Sequence, residues 1–168
     1  MNEPLVSVVM PAYNSEKYIK AAIASVVAQT HQNWDLIAID DGSRDDTGKI
    51  IAEFAAADNR IRFFKNERNL GVSATRNKAI ALAIGEWVAF LDSDDMWNEE
   101  KLEKQLVLAR NSGSDFVFTG SAFVDENGNF YRGTFSVPDT LDFRHLRLHN
   151  VIPCSSVMIR KNLLKSVR

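Results

Sequence analysis

Apolar positions along the chain fall into two alternating textures. Val6-Ser7-Val8-Val9-Met10 is β-branched and nearly continuous, which suits a strand covered on both faces, with Pro11 expected to stop it. From Ile19 the period changes. Ile19, Ala22, Ile23, Val26 and Val27 recur at helical spacing, and Glu16 and Lys20 stand one turn apart on the solvent side. The alternation then repeats. Trp34 to Ile39 reads as a strand, and Thr47, Ile50, Ile51 and Phe54 as a helical stripe. Ile61 to Phe64 is a third strand, followed by a helix opened by Gly71 and carried through Ala79, Leu82 and Ala83, with Gly85 as its expected C-cap. Trp87 to Leu91 is a fourth strand, and Leu102, Leu106 and Ala109 mark a fourth helix. This order predicts an α/β fold: a mainly parallel sheet with helices on both faces.

After Asp115 the texture turns to strands. Phe116 to Val124 and Phe130 to Thr134 flank Asp125-Glu126-Asn127-Gly128, where Asn-Gly is a hairpin signal, so a small β-hairpin is expected in the C-terminal third. Leu141 to Leu148 reads as helix, and Ser155 to Ile159 as a further strand. There is no internal repeat, low-complexity tract or linker, so residues 1–168 are expected to form a single domain.

Composition narrows the function classes. The chain of 168 residues is 45% hydrophobic and 25% charged, with net charge −2 and no basic stripe. A nucleic-acid partner is therefore not expected, whereas a small ligand carried by a metal is. One cysteine, Cys154, rules out an internal disulfide and a cysteine zinc cluster, and points to a reducing cytoplasm. The N-terminus lacks the basic-then-apolar layout of a signal peptide, and no apolar run reaches the ~20 residues of a membrane helix. A soluble chain is expected, which leaves work at the inner face of a membrane open.

Candidate chemistry gathers where an open parallel sheet binds ligands, beyond the C-terminal ends of its strands. Strand one ends in Pro11-Ala12-Tyr13-Asn14, strand two in Asp40-Asp41, and strand four in Asp92-Ser93-Asp94-Asp95. Acidic groups that close repel one another unless a cation compensates them. A Mg²⁺ or Mn²⁺ ion bridging a diphosphate would do so, since hard cations prefer oxygen ligands. Blander roles stand beside these. Asp40 to Ser43 is also a polar turn that precedes a helix, with Ser43 or Asp45 as N-cap. Asp92 to Asp95 is also a solvated loop, Tyr13 a half-buried aromatic, and Arg76 a surface residue paired with Glu86 or an aspartate. Gly42 to Lys49 fails as a phosphate loop, because its glycine spacing is one too long and Ile50 follows the lysine. His31, His145 and His149 are scattered and read as surface or satisfied residues, Cys154 as a small buried filler, and Trp97 as core.

Three motifs in order carry a family resemblance. Val6 to Asp41, with the Pro-Ala-Tyr-Asn corner and the Asp-Asp-Gly-Ser turn, resembles the start of family 2 glycosyltransferases. Gly71-Val72-Ser73-Ala74-Thr75-Arg76-Asn77 is similar to that family's Gly-x-x-x-x-Arg-Asn segment, and Leu91-Asp92-Ser93-Asp94-Asp95 to its Asp-x-Asp motif. A weaker likeness covers Ile152 to Lys161. The resemblance implies a GT-A fold, Rossmann-like in its nucleotide binding, and a nucleoside diphosphate sugar donor, commonly a uridine one. It implies that Pro11, Ala12 and Tyr13 cradle the base, with Asn14 completing that corner. Asp41, or else Asp40, accepts from the base N–H, Arg76 reaches a base carbonyl, Asp92 with Ser93 holds the ribose side, and Asp94 with Asp92 holds the metal.

The implied reaction is sugar transfer with inversion to a saccharide or lipid-linked acceptor, in cell-envelope polysaccharide synthesis. Peripheral membrane association and a homodimer are further expected partnerships. In the family the catalytic base lies soon after the segment that Ile152 to Lys161 resembles. No Glu or Asp follows Asp142, so the base is expected beyond Arg168 and the chain is expected to be truncated. On this reading residues 5–115 are the nucleotide-sugar-binding core and 116–168 begin the acceptor side. The alternatives are a noncatalytic nucleotide-sugar-binding module and a phosphoryl-transfer α/β domain. A receiver would need its acidic pair after strand one, where Pro-Ala-Tyr-Asn stands. A dehalogenase-like enzyme would want a hydroxyl two residues after its second aspartate, where Asp94 is followed by Asp95-Met96.

Overall fold

A computed structural model describes residues 3–125, 129–135, 138, 140–148 and 150–165. The strands are β1 (Val6–Ala12), β2 (Trp34–Asp40), β3 (Ile61–Lys65), β4 (Trp87–Phe90), β5 (Phe116–Val117), β6 (Ser121–Val124), β7 (Phe130–Phe135) and β8 (Met158–Arg160). The helices are α1 (Ile19–Val27), α2 (Thr47–Ala57), α3 (Val72–Leu82), α4 (Lys101–Ser112) and α5 (Phe143–Leu148), with 3-10 turns at Cys154–Ser156 and Lys161–Lys165. A six-stranded sheet runs in the order β3-β2-β1-β4-β8-β5. Its first four strands are parallel, and β8 is antiparallel to both β4 and β5.

The continuous apolar runs arise because both faces of the sheet are covered. Val6, Val8 and Met10 of β1, with Leu36 and Ala38 of β2, pack against Ile23 of α1, Ile51 of α2 and Leu102 and Leu106 of α4. Val9, Ile37, Ile39, Val88 and Phe90 face the other way, onto Ala79 and Ile80 of α3 and the C-terminal segment through Ile152, Val157 and Leu164. A strand enclosed this way has no solvent side on which to place polar residues.

Several boundaries differ from the sequence reading. Pro11 does not end β1, which runs to Ala12 in register with Asp40. Leu91 N donates to Val9 O on the β4 side, and Asp41 N donates to Ala12 O on the β2 side. Pro11 lies two residues past Val9, the last β1 residue paired with β4, so its missing N–H falls beyond that ladder. Gly85 is not a helix cap, since α3 ends at Leu82 with Ala83 extended behind it. A Cβ at Gly85 would stand 2.7 Å from Leu5 O and from Ser7 N, so this position is glycine because the backbone of β1 passes over it. Gly85→Ala is expected to cost about 1–3 kcal/mol through overpacking. Urea unfolding monitored by circular dichroism checks this, and an unchanged midpoint would remove the steric argument.

The single strand expected over Phe116 to Val124 is divided. Its first two residues join the main sheet against β8, and Ser121–Val124 pairs antiparallel with β7 as a separate two-stranded sheet. The hairpin is thus present, while its Asn127-Gly128 turn lies outside the described residues. The strand expected from Ser155 begins later, at Met158, because Cys154–Ser156 forms the 3-10 turn. Among the described residues no helix is long and apolar enough to cross a membrane.

Candidate functional site

The strand order reverses between β1 and β4: the chain builds β1, β2 and β3 outward on one side, then crosses to place β4 on the other. Loops leaving the C-terminal ends of two such strands diverge and leave a crevice. A cleft of about 380 Å³ opens there, lined by Pro11, Ala12, Tyr13, Asn14, Ser15, Tyr18, Asp41, Asn69, Val72, Asp92, Ser93 and Asp94. None of these lining residues is a lysine or arginine. Eight of the ten site residues expected from sequence meet on this one surface; Asp40 and Arg76 do not line it.

The wall from β1 is held by hydrogen bonds to the β2–α2 loop. Asn14 adopts φ 49°, its backbone N–H donates to Ser43 Oγ at 3.0 Å, and its Oδ1 accepts from Arg44 N at 2.9 Å. Asn is among the few non-glycine residues that tolerate this left-handed conformation. Ser15 N donates to Thr47 Oγ1 at 2.7 Å, and Ser15 Oγ shares a 2.7 Å hydrogen bond with Ser93 Oγ across the cleft floor. Tyr13, 42% exposed, and Tyr18, 47% exposed, keep free ring surface at its mouth.

The two neighbouring aspartates of the second motif go separate ways. Asp40 is fully buried, accepts from Ser43 N at 2.8 Å and lies 3.3 Å from Lys65 Nζ. A Cβ at Gly48 of α2 would come within 2.6 Å of its Oδ2, so Asp40 sits under the start of that helix. The expected N-caps are not found at the cap position, which Asp46 occupies without a side-chain bond. Asp45 Oδ1 accepts from Thr47 N instead, while Ser43 serves Asn14. Asp41 turns toward the cleft and gathers the β3–α3 loop. Its Oδ1 accepts from Asn66 Nδ2 at 2.7 Å and Leu70 N at 3.0 Å, and its Oδ2 from Gly71 N at 2.9 Å. Burial pushes its carboxyl up, but the bonds from Asn66, Leu70, Thr75 and Gly71 outweigh it and hold the group below the ordinary value of 3.8. Because this folded value is depressed, the stability Asp41 contributes is present above the ordinary carboxylate pKa and is lost as pH falls through the lower one. Asp41 also lines the cleft, so this firmly held carboxylate borders the space a ligand would occupy.

Across the opening stands the acidic loop after β4. Arg76 Nη2 of α3 donates to Asp92 Oδ1 at 2.6 Å, the aspartate pairing weighed from sequence, while Glu86 pairs with Arg160. Arg76 Nε is buried without a hydrogen-bond partner. Partial burial raises the Asp95 carboxyl above its ordinary value, a bond from Ser155 opposes that, and the charges of Asp94 and Asp92 add to it. Trp97 is core, as expected: its indole N–H donates to Ser155 O at 2.8 Å, and Lys101 Nζ lies 4.1 Å from its ring centroid. Lys101 itself is buried and its pKa is lowered to about 7 by desolvation. His31 is buried and satisfied by Pro4 O and Asn33 O, Cys154 is half-buried, and His149 lies outside the described residues.

Asp92 and Asp94 could hold a hard divalent cation. Among the described residues no three His, Cys, Asp or Glu side chains converge into a ready cage. A Mg²⁺-type ion does not require one, since it takes one or two carboxylates and completes its shell with phosphate oxygens and water. The donor set therefore fits such an ion.

Sequence reasoning missed Ser15, Tyr18, Asn69 and Val72 in the lining, and Asn66, Thr75 and Ser155 behind it. Tyr18 and Val72 carried a signal, as apolar residues beside the Tyr13 and Gly71 motifs. The polar residues behind the wall carried none, because only the crossing of loops distant in the chain gives them partners.

Residues 7–167 match the family model described as glycosyl transferase family 2. The chain belongs to that family. Among its family relatives is a Bacillus subtilis protein named as a teichuronic acid biosynthesis glycosyltransferase, TuaG, 39% identical over 94% of this chain and 62% of its own length. Another is the Escherichia coli protein WfgD, named as a UDP-Glc:α-D-GlcNAc-diphosphoundecaprenol β-1,3-glucosyltransferase, 37% identical over 98% of this chain and 63% of its own. The chain thus spans slightly under two thirds of the length of these relatives. Among solved structures, S. aureus TarS 1-349 in complex with UDP-GlcNAc superposes with a TM-score of 0.76 at 29% identity, over 96% of this chain and 46% of that one. The fold is the GT-A fold implied by the family resemblance.

Proposed function

We propose that this chain binds a uridine diphosphate sugar across the β1/β4 opening. With a divalent cation on Asp94 and Asp92, it serves the donor half of an inverting transfer to a saccharide or lipid-linked acceptor. The observation that carries this reading is the composition of the cleft: an aromatic corner and three carboxylates, with no lysine or arginine among the lining residues. A diphosphate can enter such a surface only with a cation. The names of relatives that use UDP-glucose or bind UDP-GlcNAc point the same way.

In this reading the Tyr13 ring stacks on the base, with Pro11, Ala12 and Asn14 shaping the corner. Asp41, at the cleft wall, accepts the base N–H. Asp92 and Ser93 face the ribose side, with Arg76 paired to Asp92 and placed to reach a base carbonyl. A bound Mg²⁺ or Mn²⁺ supplies Lewis-acid neutralisation of the departing diphosphate. Inversion further requires a carboxylate that removes the acceptor hydroxyl's proton. Residues 5–115 form the donor core and 116–168 begin the acceptor side, and a lipid-linked acceptor would bring the protein to a membrane surface.

Tyr13→Ala is expected to weaken UDP binding in the presence of Mn²⁺ about fivefold, since lost aromatic stacking is worth about 1 kcal/mol. The melting temperature should hold, because Tyr13 is 42% exposed. Isothermal titration calorimetry decides it. Wild-type affinity in the mutant would mean that the Pro-Ala-Tyr-Asn corner is structural only.

A further inference from the structure

We infer that Ser155 is a positioning residue for the donor site: it fixes which carboxylates of the acidic loop face the cleft. This rests on the function proposed above. Ser155 is 63 positions from Asp92 in the chain, yet its hydroxyl reaches the loop twice. Ser155 Oγ accepts from Asp92 N at 3.0 Å and donates to Asp95 Oδ2 at 2.5 Å, and Ser155 O accepts the Trp97 indole N–H. A serine hydroxyl has a single proton. Spending it on Asp95 turns that carboxylate to the turn at Cys154–Ser156, while the lone pairs hold the loop backbone at Asp92. Asp95 is absent from the cleft lining, and Asp92 and Asp94 are present in it.

The selection matters because three adjacent aspartates compete for one cation. Without the Ser155 hydroxyl, the Asp92 N–H loses its acceptor and Asp95 becomes a third mobile negative charge beside the other two. The loop then presents a different set of oxygens. Groups that orient metal ligands from behind typically change metal affinity by about 10–100-fold when removed. The turn carrying Ser155 precedes β8 on the C-terminal segment, so that segment shapes the donor site without lining it.

The test compares Ser155→Ala, Ser155→Thr and Ser156→Ala in the 168-residue chain, by calorimetric titration of UDP with Mn²⁺ and by thermal melting. Ser156 Oγ donates to Pro153 O within the same turn and makes no bond to the acidic loop, so its loss reports on turn stability alone. Ser155→Ala is expected to weaken Mn²⁺-dependent UDP binding about tenfold or more. Ser155→Thr, which keeps the hydroxyl, and Ser156→Ala should stay within about twofold, whatever their melting temperatures. Should Ser155→Ala fail to fold, the near-isosteric Ser155→Cys, a weak donor, should show about a fivefold loss. Unchanged binding in the Ala or Cys variant, or equal weakening by Ser156→Ala, would overturn the assignment while leaving the donor site intact. A wild-type chain that binds no UDP with Mn²⁺ would defeat the underlying function and this inference together.

Discussion

In a radiolabelled-donor assay with saccharide and lipid-linked acceptors, the 168-residue chain is expected to transfer sugar about 10² to 10⁴ times more slowly than a family member with its general base in place. The reason lies in the cleft. Among the described residues its carboxylates are Asp41, Asp92 and Asp94. Asp41 already accepts from Asn66, Leu70 and Gly71, and Asp92 is paired with Arg76. Asp94 is assigned to the cation. A base must instead be unengaged and reach the acceptor hydroxyl at hydrogen-bond distance. Of the other acids weighed from sequence, Asp125 Oδ1 accepts from Asn129 N at 2.8 Å and so closes the hairpin end. Glu126 and Asp139 lie outside the described residues, and Asp142 precedes α5. Donor binding should survive. Transfer at many turnovers per second would place a base within the chain, and single replacements of Asp125, Glu126, Asp139 and Asp142 would then find it.

Stripping divalent cations with EDTA should weaken UDP binding by at least about 100-fold, or roughly 2.7 kcal/mol. At an effective dielectric of about 20, two like charges 4 Å apart repel by about 4 kcal/mol, and a diphosphate in this cleft meets Asp94 beside the Arg76-paired Asp92, with no lysine or arginine in the lining. Asp94→Asn should lower Mn²⁺-dependent affinity about tenfold, because one anionic ligand becomes a neutral one, and should flatten the dependence on metal concentration. Calorimetry with EDTA and with graded Mn²⁺ measures both. Equal affinity with and without the ion would remove the metal role of Asp94.

Much of the architecture was legible in local pattern. Strands enclosed by helices must be apolar on both sides, so the runs at Val6, Trp34 and Trp87 and the stripes at Ile19 and Thr47 declared themselves without any knowledge of partners. Where the pattern misled, a backbone contact was responsible. Gly85 looked like a helix cap and is a crossing point with β1. Pro11 looked like a strand end and lies beyond the last β1–β4 pair, where its missing N–H interrupts no ladder bond. The strand read over Phe116 to Val124 is shared between two sheets, and nothing in its residues marks the division.

The candidate site was legible to the level of its motifs. The sequence alone determined that an aromatic corner and two acidic clusters stand at strand ends, because strand ends follow from hydrophobic runs and an open parallel sheet binds ligands beyond the carboxyl ends of its strands. Only the tertiary structure separated Asp40 from Asp41. Successive side chains at the end of a strand point to opposite faces, so one neighbour is buried beneath α2 and the other gathers the loop ahead of α3. Only the tertiary structure, too, drew Arg76 onto Asp92 and Ser155 onto the acidic loop. Those bonds join residues 16 and 63 positions apart, and sequence periodicity reports which face a residue takes on its own element, not which distant loop the packed sheet brings against it.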